Sequence, residues 1–188
     1  QSAMEDAFGL IVPCATALPG YEAALAQGWS PNTTRDVSAE ELARLRADPA
    51  AFLRAVLHPP PTITMADGSE VPRLPGCVLW MWDGAFCGAI NLRHQFGTEA
   101  LPPHVSGHVG YAVVPWKRRR GYATRALALM LPVAARAGLA RVELTCDADN
   151  DASRRVIEAN GGVRQPGLRD AEGHPKLAFW VPTGRPDA

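Results

Sequence analysis

The sequence has no surplus of charge of either sign, with 19 Lys and Arg set against 19 Asp and Glu. A chain so balanced has no general pull on nucleic acid or anionic lipid, so any anion site must be local. Cysteine is sparse. Cys14, Cys77, Cys87 and Cys146 are scattered, without a C-x-x-C pair or a Cys/His cluster, so neither a metal site nor a redox couple is expected. Free thiols of this kind fit a reducing cytoplasm. No apolar run approaches the roughly 18 to 20 residues of a membrane span, and no basic stretch followed by an apolar core opens the chain. A soluble, cytoplasmic protein without membrane or nucleic-acid partners is therefore expected. Gln1, Ser2 and Ala3 precede Met4, read as residues left from cloning, and are given no role.

What is present suffices for one core: 188 residues, 47% of them hydrophobic, read as a single domain over 1–188. Pro19 to Gln27 carries Ala and Leu at helical spacing and stops at Gly28. Ser38 with Glu41 spells a capping box for a second helix, and Asp48-Pro49 opens a third that ends before His58. Five prolines between 58 and 76, with Asp67-Gly68, mark a long connection with room for a short hairpin. Strands follow over Cys77 to Trp82 and Phe86 to Arg93, joined at Asp83-Gly84. After a polar loop from His94 to Gly107 come a strand from His108 to Val114 and a helix from Tyr122 to Ala137 stopped by Gly138. A strand from Arg141 to Cys146, a helix from Asn150 to Asn160 and a last strand from Lys176 to Val181 complete the order. Pro132 inside the longest helix predicts a kink.

Chemistry concentrates at Val113-Val114-Pro115-Trp116-Lys117-Arg118-Arg119-Arg120-Gly121-Tyr122-Ala123-Thr124, a strand leaving through a basic turn directly into a helix. The amides of a helix's first turn and the positive end of its dipole form a cradle for phosphate. Gly121 and Ala123 leave space there, and three arginines add charge. Alone, such a run is equally a solvated turn. No G-K-[ST] follows, which disfavours a nucleoside-triphosphate loop, and G-x-G-x-x-G is absent, which disfavours a dinucleotide site.

The segment Arg118-Arg119-Arg120-Gly121-Tyr122-Ala123 resembles the [QR]-x-x-G-x-[GA] motif of the GNAT (GCN5-related) N-acetyltransferases, and lies in register with a strand and a helix as in that family. A second element is similar to the family's next strand and Asn-x-x-Ser helix: Leu144-Thr145-Cys146-Asp147, then Asn150-Asp151-Ala152-Ser153, closing at Asn160-Gly161-Gly162. The resemblance covers roughly residues 77 to 181 and is weak over 4–76, the expected acceptor-side part. With Gly107-His108-Val109-Gly110-Tyr111 it looks most like a bacterial branch labelled only "predicted acetyltransferase".

The resemblance implies an α/β fold of about six to seven strands in a mixed sheet flanked by helices, whose fourth and fifth strands, here His108 to Val114 and Arg141 to Cys146, splay apart. It implies acetyl-CoA as cosubstrate and direct transfer of its acetyl group to a primary amine in a ternary complex. Val113 and Val114 would offer main-chain groups to the pantetheine arm, with Arg118, Arg119, Arg120, Gly121, Tyr122, Ala123 and Thr124 around the pyrophosphate. Asn150, with Ser153 in the same motif, would face the thioester. Many relatives place a Tyr four residues after that serine as the acid for the leaving thiolate; this chain has Ile157.

The transfer needs a base, an oxyanion donor and an acid. Candidates are His108 and Tyr111, then Cys146, Asp147, Glu99, His94 and His104. Strand alternation puts His108 and Tyr111 on opposite faces, and a water-linked base near His108 is the reading adopted, beside the alternative that it is a structural histidine. Cys146 as an acyl-carrying nucleophile is disfavoured, since no adjacent His supports it. Trp80, Trp82 and Trp116 are either core or part of an aromatic acceptor pocket, and the first helices and the His94 to Gly107 loop are expected to shape the acceptor cleft. The acceptor is a small amine or a peptide or protein N-terminus; Ser153 to Glu158 resembles GNATs that modify ribosomal-protein N-termini. A homodimer fits the fold, and a non-catalytic acyl-CoA sensor is the competing function.

Overall fold

The computed structural model describes residues 7–166, 168, 169 and 173–186, so Gln1 to Ala3 lie outside the described residues. The chain divides into two compact units, one of Gln1–Asn91 with Tyr111–Arg118, the other of Leu92–Gly110 with Arg119–Ala188.

In the first unit, β1 (Gly9–Ile11), β4 (Gly76–Trp82), β5 (Phe86–Arg93) and β6 (Val109–Val113) follow in that order across one sheet, the last two strands running on into the second unit. Helices α1 (Leu18–Ala26), α2 (Ser38–Ala47) and α3 (Pro49–Leu57) pack in sequence, α3 also against β4. The expected short hairpin forms as β2 (Thr62–Thr64) and β3 (Glu70–Pro72). Asp48 caps α3 by accepting the Ala51 amide, as Asp48-Pro49 predicts.

The capping box expected at α2 does not form. Asp36 lies upstream and takes both the amide and the hydroxyl of Ser38, which draws Ser38 into the helix, with Val37 at the N-cap. Glu41 instead accepts the Tyr21 hydroxyl at 2.5 Å. Burial pushes both the Glu41 carboxyl and the Tyr21 phenol upward. Tyr21 stacks on Trp80 at 4.8 Å and meets Trp29 and Phe86 edge-on, so Trp80, wholly buried, is core. Trp82 packs against the same cluster and Trp116 is exposed.

In the second unit, β7 (Arg141–Asp147) pairs antiparallel along its whole length with β10 (Pro175–Pro182), which also holds β8 (Val163–Arg164) and β9 (Leu168–Arg169). Helices α4 (Tyr122–Arg136) and α5 (Asp151–Ala159) pack on β7 and on each other. Helix α4 buries Ala126, Leu127, Met130 and Ala134. It runs unbroken through Pro132. That residue and Ala128, whose carbonyl loses its amide partner, are both exposed, so water meets the deficit.

Strands β6 and β7, the pair expected to splay, belong to different sheets. β6 is thus the last strand of its sheet, and its approach to β5 is close. At Gly88, where φ is 153°, an added Cβ would lie 2.3 Å from the Ala112 carbonyl oxygen. Gly88→Ala is expected to cost at least about 1–3 kcal/mol, read as a lower urea midpoint at unchanged m-value.

Candidate active site

The site is built where β6 ends. Val114 donates its N–H to the Cys87 carbonyl at 2.9 Å, and its own carbonyl receives the Lys117 amide at 3.0 Å. Its main chain is therefore committed internally, which narrows the expectation that Val113 and Val114 serve a ligand alike. By strand alternation Val113 presents its main chain on the opposite edge, where β6 has no sheet neighbour among the described residues.

Pro115–Lys117 forms a single 3-10 turn. The chain then takes left-handed conformations at Arg119 (φ 63°) and Gly121 (φ 75°) and enters α4. A Cβ on Gly121 would meet nothing within 4 Å, so glycine here serves the backbone conformation and leaves open space above it. No side chain caps α4 and its first turn holds no acidic residue, whereas α3 and α5 are capped by Asp48 and Asn150. Lys117 is not available to an anion. Its ammonium contacts both carboxylate oxygens of Asp83 at 2.8 Å, in a pair that is largely buried. Arg118, Arg119 and Arg120 are exposed and form no ion pair among the described residues.

The Asn160-Gly161-Gly162 sequence has a mechanical use. Asn160 donates from Nδ2 to the Thr124 carbonyl at 3.2 Å and the Val156 carbonyl at 3.0 Å, tying the first turn of α4 to the end of α5. Gly161 turns the chain at φ 84°, and a Cβ on Gly162 would lie 2.5 Å from the Ile157 side chain. Asn150 caps α5, its Oδ1 accepting the Ser153 amide at 3.1 Å, which leaves Nδ2 as its donor.

His108 is wholly buried. Its Nδ1 accepts the Glu143 amide at 2.8 Å, so the neutral ring carries its proton on Nε2, which makes no hydrogen bond of full geometry among the described residues. Burial lowers its pKa, a trend that the Glu99 carbonyl and carboxylate partly offset and that Arg93 and His94 reinforce. As placed, the ring spends its lone pair on the Glu143 amide and presents only an N–H at Nε2. Tyr111 is half-buried, three residues along.

Among the other candidates, Glu99 pairs with Arg141 at 2.8 Å, and Arg141 lies over the Trp180 ring at 3.9 Å. Asp147 pairs with Lys176 at 2.5 Å, His94 is buried edge-on to Phe96, and His104 is exposed. Cys146 is buried, and desolvation together with Asp147 pushes its thiol upward, opposite to what a nucleophile requires. Ile157 is fully buried. Among the described residues no group of three or more His, Cys, Asp or Glu is placed to hold a metal ion, and no helix is long and apolar enough to cross a membrane.

Two residues were missed by the sequence reading. Arg93 donates to the carbonyls of Ser106 and Gly107 at 2.8 Å and holds the approach to β6. Glu143 is half-buried on β7, in the polar row Arg141, Glu143, Thr145 and Asp147, which alternates with buried Val142, Leu144 and Cys146. That alternation was readable as a signal.

The acetyltransferase (GNAT) domain profile matches residues 31–163. This chain belongs to that family. No curated protein matches the sequence. Among solved structures, yncA from Salmonella typhimurium, with its cofactor acetyl-CoA, is similar over 97% of both chains at 16% identity and a TM-score of 0.55. The microcin C7 self-immunity acetyltransferase MccE, in complex with acetyl-CoA and AMP, covers 93% of this chain and 92% of its own at 11% identity and 0.60. The Salmonella typhimurium acetyl transferase that modifies the N-terminal serine of ribosomal protein L7/L12 covers 93% and 94% at 14% and 0.57. At these identities the likeness establishes the GNAT fold.

Removing the tie between α4 and α5 has a predictable cost. Asn160→Ala deletes two hydrogen bonds and is expected to destabilise the protein by about 1–3 kcal/mol, checked by urea denaturation.

Proposed function

We propose that this chain is an acetyl-CoA-dependent N-acetyltransferase that moves the acetyl group from the thioester directly to a primary amine in a ternary complex. The observation that carries the reading is the left-handed turn of Arg118–Gly121 opening onto the uncapped α4, with three exposed arginines that form no ion pair among the described residues, in a member of the GNAT family. The family match runs through both units, which we read as one domain.

In this reading the amides from Arg119 to Thr124, with Gly121, Tyr122 and Ala123 at the turn, hold the pyrophosphate. Arg118, Arg119 and Arg120 supply charge. Val113 extends main-chain groups to the pantetheine arm from the edge of β6 that has no strand neighbour among the described residues, and Asn150, capping α5 through Ser153, has its Nδ2 left for the thioester end. Two of the structural relatives bind acetyl-CoA, which supports this choice of cosubstrate. The acceptor is a small amine or a peptide or protein N-terminus. One relative modifies a protein N-terminal serine, and another is a microcin C7 self-immunity acetyltransferase bound to acetyl-CoA and AMP.

Direct transfer is favoured over an acyl-cysteine intermediate because the Cys146 thiol is held protonated. Cys146→Ala is therefore expected to retain most of the wild-type turnover, measured as thiol release from acetyl-CoA with the accepted amine. Near-total loss in a folded variant would contradict direct transfer.

The cofactor site is tested by calorimetric titration of acetyl-CoA into wild type, Gly121→Glu and Gly121→Asn. Asn tolerates the left-handed backbone, whereas Glu adds bulk and negative charge against the pyrophosphate. Glu is expected to weaken binding by well over tenfold, more than about 1.4 kcal/mol, and Asn by much less. Equal affinity in all three would remove the cradle from the account.

A further inference from the structure

The unexplained group in the second unit is the Glu143 carboxylate. The other described acidic side chains of that unit are either paired or exposed. Glu99 is held by Arg141, Asp147 by Lys176, and Asp151 and Glu158 by Arg154, while Asp149 is in solvent. Glu143 alone among them is half-buried with no ion pair or side-chain hydrogen bond. A carboxylate taken partly out of water without a partner is a standing cost, and such groups concentrate at sites of chemistry.

Its main chain, by contrast, is gripped. The His108 amide donates to the Glu143 carbonyl at 2.7 Å, His108 Nδ1 receives the Glu143 amide, and Gly107 comes so near that a Cβ there would lie 2.8 Å from the Glu143 carbonyl oxygen. Gly107 and His108 are themselves held from β5 by Arg93. Across the ladder Trp180 stands directly opposite Glu143 and gives its side chain an apolar neighbour. A rigidly mounted, poorly solvated carboxylate at the point where β6 begins is what a proton acceptor for an ammonium requires.

Resting on the acetyltransferase reading above, we propose that the Glu143 carboxylate takes the proton of the acceptor amine and that His108 is its positioning residue. The acceptor R–NH3+ gives one proton to Glu143. The freed nitrogen lone pair attacks the thioester carbonyl, and the C–S bond breaks as the tetrahedral intermediate collapses. The nitrogen sheds a second proton, which goes to the departing thiolate, and Glu143 returns its proton to solvent. The products are the amide, CoA thiol and one released proton, with no dedicated acid required, in keeping with Ile157 at the position where relatives carry a tyrosine.

The charged groups around Glu143 do not oppose this role. Arg141, two residues before it on the same face, is engaged by Glu99; His108 is neutral, and Trp180 carries no charge. Burial raises the Glu143 pKa, which brings the carboxyl nearer the working pH of a base. The deprotonated form is the active one, so kcat/KM rises with pH through this pKa, on an acid limb lying above the ordinary carboxylate range.

The test uses the full chain with an amine it accepts, and measures kcat/KM against pH and acetyl-CoA affinity for wild type, Glu143→Gln, His108→Asn and His108→Ala. Glu143→Gln is expected to lose about 10²- to 10⁴-fold in kcat/KM and its acid limb, with acetyl-CoA binding unchanged. The Asn side chain at 108 still offers an oxygen to the Glu143 amide, so His108→Asn is expected to keep most of the activity that His108→Ala loses. Equal, near-complete loss in both His108 variants would make His108 the base and overturn the assignment. So would a Glu143→Gln variant that keeps wild-type turnover and acid limb, while the acetyltransferase reading stood. Should Glu143→Gln fail to fold, Glu143→Asp decides the matter: a slower enzyme that keeps the acid limb supports the assignment, and an unaltered rate overturns it. A wild type that binds acetyl-CoA but acetylates no amine overturns the enzyme reading itself, and this role with it.

Discussion

The structure depends on how β6 is bound on its two sides. On one it is paired with β5 so closely that Gly88 has no room for a methyl group. On the other, just before the strand begins, the His108 amide donates to the Glu143 carbonyl of β7. The His108 ring then takes the Glu143 amide, a bond that a carbonyl would supply in a continuing ladder. A side chain takes the place of a strand partner there, and among the described residues no strand pairs with the outer edge of β6. In most proteins such an edge is a liability. In an acyl-CoA enzyme it is a surface on which an extended, amide-bearing arm can lie as a strand does.

Beyond β6 the chain is fixed at the margins of the turn and open in the middle. It passes through one 3-10 turn and two left-handed residues into α4. Lys117 is drawn back to Asp83, and Asn160 holds the carbonyl of Thr124 from α5. The middle of the turn makes no use of its own charges. Three exposed arginines without an ion pair among the described residues stand beside an uncapped helix start and repel one another, a repulsion that an anion bound there would relieve.

The regular elements were legible because their signals are local. Phe86 to Arg93 reads as a strand residue for residue, Asp48-Pro49 opens α3, and Asn150 opens α5. The capping box at Ser38 failed for an equally local reason, since Asp36 competes for the same hydroxyl and amide and Tyr21, from another helix, claims Glu41. Strand β1 has only three residues and depends on β4, some seventy positions away, so no pattern in its own residues announces it. The turn from Arg118 to Thr124, proposed above as the cofactor site, was legible as a possible phosphate cradle because its conformation, charge and helix start are consecutive. The pairing of His108 with Glu143 was not, because the two lie 35 residues apart and only folding shows that the Nδ1 lone pair accepts the Glu143 amide. A histidine in a strand looks like a base; a glutamate in an alternating strand looks like a solvated face.

The central claim is that the turn from Arg118 to Thr124 receives the cofactor's pyrophosphate. The most direct measurement is amide hydrogen exchange across the chain with and without acetyl-CoA. Slowed exchange is expected at the amides from Arg119 to Thr124 and at Val113, with little change in α1 to α3. Binding that protects other segments and leaves Arg119 to Thr124 unaltered would contradict it.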